Sequence, residues 1–255
     1  MPSDAVHGHI PRVLPDNTGL VFPGESSWPA ALLTDREADK MMSAVNPCGR
    51  PNTDVLRRRL AVSGGEPVES WQIDFPEHFT AQEAALYEQP FALLRKRTGG
   101  VWQNPHAAPA LRRALARVSR WLALPAAAET PDWRWIEDEL LPDESLMIVA
   151  RDDDFMHGML ASPLFALWWG QHRAQPVLAV GSFPFPWPPA TPLSALSKIQ
   201  EEQRHAIARA VRGGDIDALN DAAPAAYGWP TDLSDAELLA RLTTLNRERG
   251  GLSSR

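Results

Sequence analysis

The sequence predicts an α+β fold, in which a mixed strand-and-helix domain is followed by a small C-terminal helical bundle. Three observations predict it. Apolar–polar alternation, the mark of half-buried strands, occurs at Trp71, Ile73 and Phe75 and at Trp133 and Trp135, and LMIVA (146–150) is a continuous buried run. Helix-start signals of the form Thr-x-x-Glu, at Thr34/Glu37 and Thr80/Glu83, are interspersed with those strands. After residue 190 the alternation stops and only amphipathic helical spacing remains.

In chain order, the first 17 residues hold three prolines and two histidines with little apolar pattern, and read as a flexible leader. His7 and His9 are read as solvated side chains before metal ligands. GLVF (19–22) reads as a short strand closed by Pro23-Gly24. Thr34 to Val45 is predicted helical from its capping box. The loop NPCGRPNTDVLRRR (46–59) carries Arg50, Arg57, Arg58 and Arg59. Two readings stay open for it. One is a phosphate clamp with Asn52 as a base-edge reader, and the other is a self-bonded turn. Thr80 to Lys96 is predicted helical, kinked or split by Pro90. Asp74 and Glu77 beside Lys96 lack the acid-x-lysine strand pattern of a nuclease. Asp152, Asp153 and Asp154 precede an apolar helix and read as its cap before a metal site. His157 reads as a packed side chain, because no nucleophile motif accompanies it.

The stretch GSFPFPWPP (181–189) has four prolines in nine residues and divides the chain. Proline removes backbone donors and fixes φ, so an extended arm is expected, with Phe183, Phe185 and Trp187 on one side. The arm is a linker docked through its rings, or else a proline-rich ligand for another protein. Beyond it, helices are expected over Leu193–Arg212, stopped by Gly213-Gly214, over Ile216–Tyr227, and after the Ser234/Glu237 cap.

Charge is segregated. The 255 residues sum to −7, which argues against an evenly basic nucleic-acid binder. Yet no acid falls between Glu88 and Glu129, where Arg95, Lys96, Arg97, Arg112, Arg113, Arg117 and Arg120 lie. With Ala110 to Leu122 read as a helix, Arg113, Arg117 and Arg120 fall at i, i+4 and i+7 on its polar face, suited to phosphate contact or merely solvated. From Glu129 to Asp154 the sign reverses. A single cysteine, Cys48, excludes a disulfide framework and fits a cytoplasmic protein. No apolar run reaches the ~18 residues of a membrane span.

FPFPWPP (183–189), NPCGRPNTDVLR (46–57), QEAALYEQPF (82–91), LPDESLMIVARDDDFMHGML (141–160) and AAYGWPTDLSDAELLARLTTLNRER (225–249) resemble, in the same order, the C-terminal part of MmeI-like adenine-specific DNA methyltransferases. The resemblance covers roughly residues 18 to 250. It implies a target-recognition domain (18–180), the proline/aromatic hinge (181–190) and a helical C-terminal domain (191–255). It also implies double-stranded DNA as a partner, and a catalytic domain or subunit that would hold S-adenosylmethionine.

This chain departs from the pattern in two places. The family's basic turn after the strand matching Arg120 to Leu124 is replaced by PAAAETPD (125–132). The Gly-rich cofactor turn and the Asn/Asp-Pro-Pro-aromatic adenine loop are also missing, since Gly64-Gly65 and Gly99-Gly100 are isolated pairs and Asn46-Pro47 and Asn104-Pro105 lack the second proline. The expectation is therefore a recognition module without cofactor or catalytic residues of its own. Its DNA-contact candidates are Arg50, Asn52, Arg57, Arg95, Lys96, Arg112, Arg113, Arg117 and Arg120. A protein-binding adaptor or an inactive methyltransferase fragment is the alternative.

Overall fold

The computed structural model describes residues 10–104 and 108–251. His7, His9 and Pro105 lie outside them. The strands are β1 (Val21–Pro23), β2 (Leu32–Leu33), β3 (Leu56–Ser63), β4 (Glu66–Ile73), β5 (Trp121–Pro125), β6 (Arg134–Ile136), β7 (Leu141–Pro142) and β8 (Leu146–Val149). The helices are α1 (Asp35–Met42), α2 (Ala81–Ala84), α3 (Glu88–Arg97), α4 (Pro109–Leu115), α5 (Asp154–Ala161), α6 (Pro163–His172), α7 (Pro176–Ser182), α8 (Lys198–Gly213), α9 (Ile216–Ala225) and α10 (Asp235–Gly251). The fold is α+β. It consists of two compact units, residues 10–22, 114–136 and 147–251, and residues 23–104, 108–113 and 137–146.

In the first unit, the sheet β1-β8-β5-β6 and helices α5–α10 share one core. β5 and β8 are buried almost throughout, which is why their sequences are continuously apolar. Asp153 caps α5 by accepting from the Met156 amide at 2.9 Å, as expected of the aspartate run. Ser162 caps α6 in the same way. α5 lies against α8 at Gly158, where a Cβ would stand 2.5 Å from the Ile207 side chain. α8 begins at Lys198, later than Leu193, behind a Ser197/Gln200 capping box, and Gly214 ends it at φ 65°.

The proline/aromatic stretch lies in this core. Phe183, Phe185 and Trp187 are 0%, 1% and 6% exposed. Phe183 meets Phe165 and Phe185 edge-on at 5.0 and 4.9 Å, and Trp187 stacks on Phe155 at 4.8 Å. Helix α7 runs on through Ser182, so the extended arm begins at Phe183, ahead of the first proline. Of the two readings, docking is the one seen.

The expected looseness of the first 17 residues does not hold from residue 10 onward. Leu14 is 2% exposed and its amide donates to the Gly181 carbonyl at 2.9 Å. The Asn17 amide donates to the carbonyls of Val180, Gly181 and Phe183. Asn246 of α10 pairs with both backbone polar groups of Arg12 and donates to the Ser182 carbonyl at 2.7 Å. A short segment without periodicity is ordered by two buried asparagines that satisfy its backbone.

In the second unit, the sheet runs β2-β4-β3-β7, with β3 and β4 an antiparallel hairpin and β7 parallel to β3. Its core gathers Leu33, Ala38, Met41, Leu56, Ile73, Phe75, Tyr87 and Leu94. The capping boxes at Thr34 and Thr80 both form. The predicted helix over 80–96 is split at Ala85–Tyr87, and Pro90 falls in the first turn of α3, where no intrahelical donor is needed. The predicted helix over 110–122 stops at Leu115. Trp121, Leu122, Ala123 and Leu124 pair into a sheet instead, because tertiary pairing of a run buried on both faces overrides a local helical spacing.

Candidate nucleic-acid interface

The loop after α1 is shaped by two asparagines. Asn46 donates to the Arg50 carbonyl at 2.7 Å and to Asn52 Oδ1 at 2.9 Å, and accepts from the Glu88 amide. Asn52 is 0% exposed and donates to the Met41 carbonyl at 2.8 Å. The base-edge role for Asn52 is therefore withdrawn, since every polar atom of its amide is turned inward. The loop displays Arg50 at its exposed tip, and the Tyr87 hydroxyl donates to Asp54 at 3.2 Å.

The other arginines of that stretch are not in a loop. Residues 57–59 belong to β3, in register with Gln72, Trp71 and Ser70 of β4. Arg57 is exposed and reaches only the Thr53 carbonyl, at 3.5 Å. Arg58 pairs with Glu69. Arg59 is 4% exposed, pairs with Asp143, and donates to Ser27 Oγ at 2.9 Å. Asp143 is held below the usual carboxylate range: burial opposes this, but hydrogen bonds from Ser145 and the Arg59 charge prevail.

The acid-free run divides in the same way. At the end of α3, Arg95 and Lys96 are exposed; Arg95 lies over the Phe91 ring and donates to the Gly100 carbonyl. Arg97 is paired with Glu37 at 2.7 Å. Arg112 is a bridge. It donates twice to Glu25, itself 5% exposed, and twice to Asp74, at 2.8 and 3.0 Å. That double pairing holds it far above the ordinary arginine range despite burial, and removes it from the DNA-contact set. The bridge forms part of the wall of a cavity of about 210 Å³, beside Trp28, Gln72 and Asn104.

Arg113 and Arg117 are exposed. Arg120 is not available: it lies 3.9 Å from the centre of the Trp135 ring and pairs with Asp154 at 2.6 Å. The guanidinium row over 113, 117 and 120 is thus dissolved, because α4 ends before Arg117 and the i, i+4, i+7 spacing no longer defines a face. The aspartates read as a helix cap also pair with arginines: Asp153, the cap of α5, with Arg151, and Asp154 with Arg120 and Arg212. His157 is half-buried against Trp135, edge-on at 5.2 Å.

Gly64-Gly65 is the tip of the β3–β4 hairpin, and Gly99-Gly100 follows α3; neither links a strand to a helix. Among the described residues, no group of three or more His, Cys, Asp or Glu could hold a metal ion, and no helix is long and apolar enough to cross a membrane.

No family model matches the chain, and neither does any curated protein. Its α+β architecture is shared with part of a restriction-modification enzyme of known structure. That enzyme is the Type IIL protein MmeI, solved in complex with DNA: the likeness covers 94% of this chain at a TM-score of 0.59 and 14% identity. It spans 37% of the MmeI chain, so the shared fold is a portion of that enzyme.

Proposed function

We propose that this chain is the DNA sequence-recognition module of an adenine-specific DNA methyltransferase within a restriction-modification system, acting in the cytoplasm. Methyl transfer would reside in a separate catalytic domain or subunit, which would bind S-adenosylmethionine. The observation that carries this reading is the likeness of nearly the whole chain to one portion of an enzyme solved on DNA. The exposed cations support it. Arg50, Arg57, Arg95, Lys96, Arg113 and Arg117 have no carboxylate partner among the described residues, and phosphate contacts from such groups position a protein on a duplex.

The experiment is duplex binding by fluorescence anisotropy across a salt series, followed by methylation of that duplex with and without an added MmeI-type catalytic domain. Binding that weakens with salt is expected, together with adenine methylation only in the mixture. Salt-independent binding, or none, refutes the recognition role; methylation by the chain alone refutes the division of labour.

A further inference from the structure

Lysine is scarce in this chain. There are 25 basic side chains, and reading along the sequence only Lys40, Lys96 and Lys198 are lysines. Two of the three stand on one groove of the second unit. Helices α1 and α3 border an open cleft of about 420 Å³ whose lining includes Lys40, Met41, Gln89, Leu93, Lys96 and Glu37. Helical spacing accounts for the arrangement. Residues 37, 40 and 41 share one face of α1, and 89, 93 and 96 share one face of α3. Met41, 5% exposed, belongs to the core beneath.

The charge of this groove is unbalanced. Glu37 is its one carboxylate, and it is fully engaged: it accepts from the Thr34 amide and hydroxyl at 2.9 and 3.1 Å and pairs with Arg97. Lys40 and Lys96 are exposed, and among the described residues neither has a carboxylate within ion-pair distance. Arg36, exposed one turn before Lys40, and Arg95, beside Lys96, add positive charge next to the groove, and the exposed acids of these helices, Asp35, Asp39 and Glu88, are not part of its lining. Like charges at i, i+4 oppose a helix, so the arrangement gains from a polyanion. A lysine is a compact charge on a flexible stem with three donors. It suits a single phosphate approached from either side, where a planar guanidinium would impose a bidentate geometry.

We propose that the α1–α3 groove seats a backbone phosphate of duplex DNA, clamped between Lys40 and Lys96, with the Gln89 amide as a further donor. The inference rests on the recognition reading and adds a residue, Lys40, that sequence reasoning did not select. It makes this face of the second unit a point of contact with the sugar–phosphate chain, which fixes register and carries no base preference.

The scarcity of lysine supplies the test. The whole chain, free and saturated with duplex, is acetylated with an amine-selective reagent, and modification at each lysine is read by mass spectrometry. Lys40 and Lys96 are expected to be protected several-fold by DNA, while Lys198, on α8, serves as the reference. The doubly substituted Lys40→Ala/Lys96→Ala protein is expected to lose about 0.9 from the log–log salt slope, the value of one phosphate. Each single variant should lose only part of that, and arginine at both positions should restore affinity in part. If the chain binds duplex with Lys40 and Lys96 acetylated at the free rate, or if the double variant keeps the parent slope, the groove is not a phosphate seat and the recognition reading survives without it. If the chain fails to bind duplex at all, both fall. Protection of these lysines by an acidic polypeptide but not by duplex assigns the groove to a protein and overturns the inference.

Discussion

Trp187 is the ring whose removal tests the packing of the proline/aromatic arm. It is 6% exposed and lies flat on Phe155, with an interplanar angle of 11°. A buried aromatic of this class removes about 150–250 Å² from water, and at about 25 cal/mol/Å² that is ~4–6 kcal/mol as an upper bound. Measured truncations of buried Phe and Trp to Ala cost about 3–5 kcal/mol, and a stacked pair contributes about 0.5–1.5 kcal/mol of such a loss. For Trp187→Ala we take about 4 kcal/mol. With a urea m-value of about 2–3 kcal/mol/M, the unfolding midpoint should fall by about 1.3–2 M. Trp187→Phe keeps a ring on Phe155 and should lose roughly half as much. Circular dichroism in urea is the assay, because the ten tryptophans would blur a fluorescence curve. The region that unfolds first should contain Phe183 and Phe185, which hydrogen exchange can confirm. A Trp187→Ala midpoint within about 0.2 M of the parent's would refute the reasoning, since a ring doing no packing has no such surface to lose.

Two further outcomes follow from the buried charges. Arg112→Ala leaves Glu25 and Asp74 without their guanidinium and should destabilise the protein by about 3–5 kcal/mol in thermal or urea unfolding, with DNA binding otherwise intact; a stable Arg112→Ala variant whose DNA affinity falls would return Arg112 to the contact set. His157 is held below the ordinary histidine value, chiefly by burial and against a hydrogen bond to the Trp133 backbone. The fold therefore favours neutral imidazole, and the stability this provides is present above about pH 6.5 and lost as pH falls from there toward the lower folded value. His157→Gln should flatten that part of the stability–pH curve, and an unchanged slope would show that His157 does not cause it.

Much of the fold was legible because its signals are local. Thr34/Glu37 and Thr80/Glu83 are capping boxes whose partners lie three residues apart, and Gly214 ends α8 through its own φ. The docking of Phe183, Phe185 and Trp187 could be foreseen from composition, because rings between prolines need a surface. The ordering of residues 10–17 could not, since it depends on Asn17 and Asn246, whose partners 163 to 234 residues away leave no trace in spacing. The end of α4 was misread for a related reason. Leu111, Leu115, Val118 and Leu122 fit a helical stripe, but Trp121–Pro125 has sheet partners that helical periodicity takes no account of. At the candidate site, the exposed cations were found by charge alone, and of the two readings left open for the 46–59 loop it is the self-bonded turn that Asn52 serves from within. Lys40 could have been noticed from the rarity of lysine.

A run of basic residues overstates the charge that a polyanion would meet, and the stretch from residue 89 to 128 shows by how much. Of its seven cations, Arg97, Arg112 and Arg120 close on carboxylates brought by other segments, leaving Arg95, Lys96, Arg113 and Arg117. With Arg36, Arg50 and Arg57 added, and Lys40 and Lys96 sharing one phosphate, these candidates offer seven phosphate contacts and a log–log salt slope of about −6. Releasing a paired arginine to DNA would not extend that limit cheaply. Uncovering Glu25 by moving Arg112 costs about 3–5 kcal/mol, whereas a single charge-assisted contact contributes about 1.5–3 kcal/mol. The pairs should therefore stay closed on the duplex. A measured slope well beyond −6 would mean that some of them open, and that binding reorganises the interior of a unit instead of decorating its surface. A slope near −2 or −3 would mean that only one patch, such as the α1–α3 groove with its flanking Arg36 and Arg95, touches the backbone.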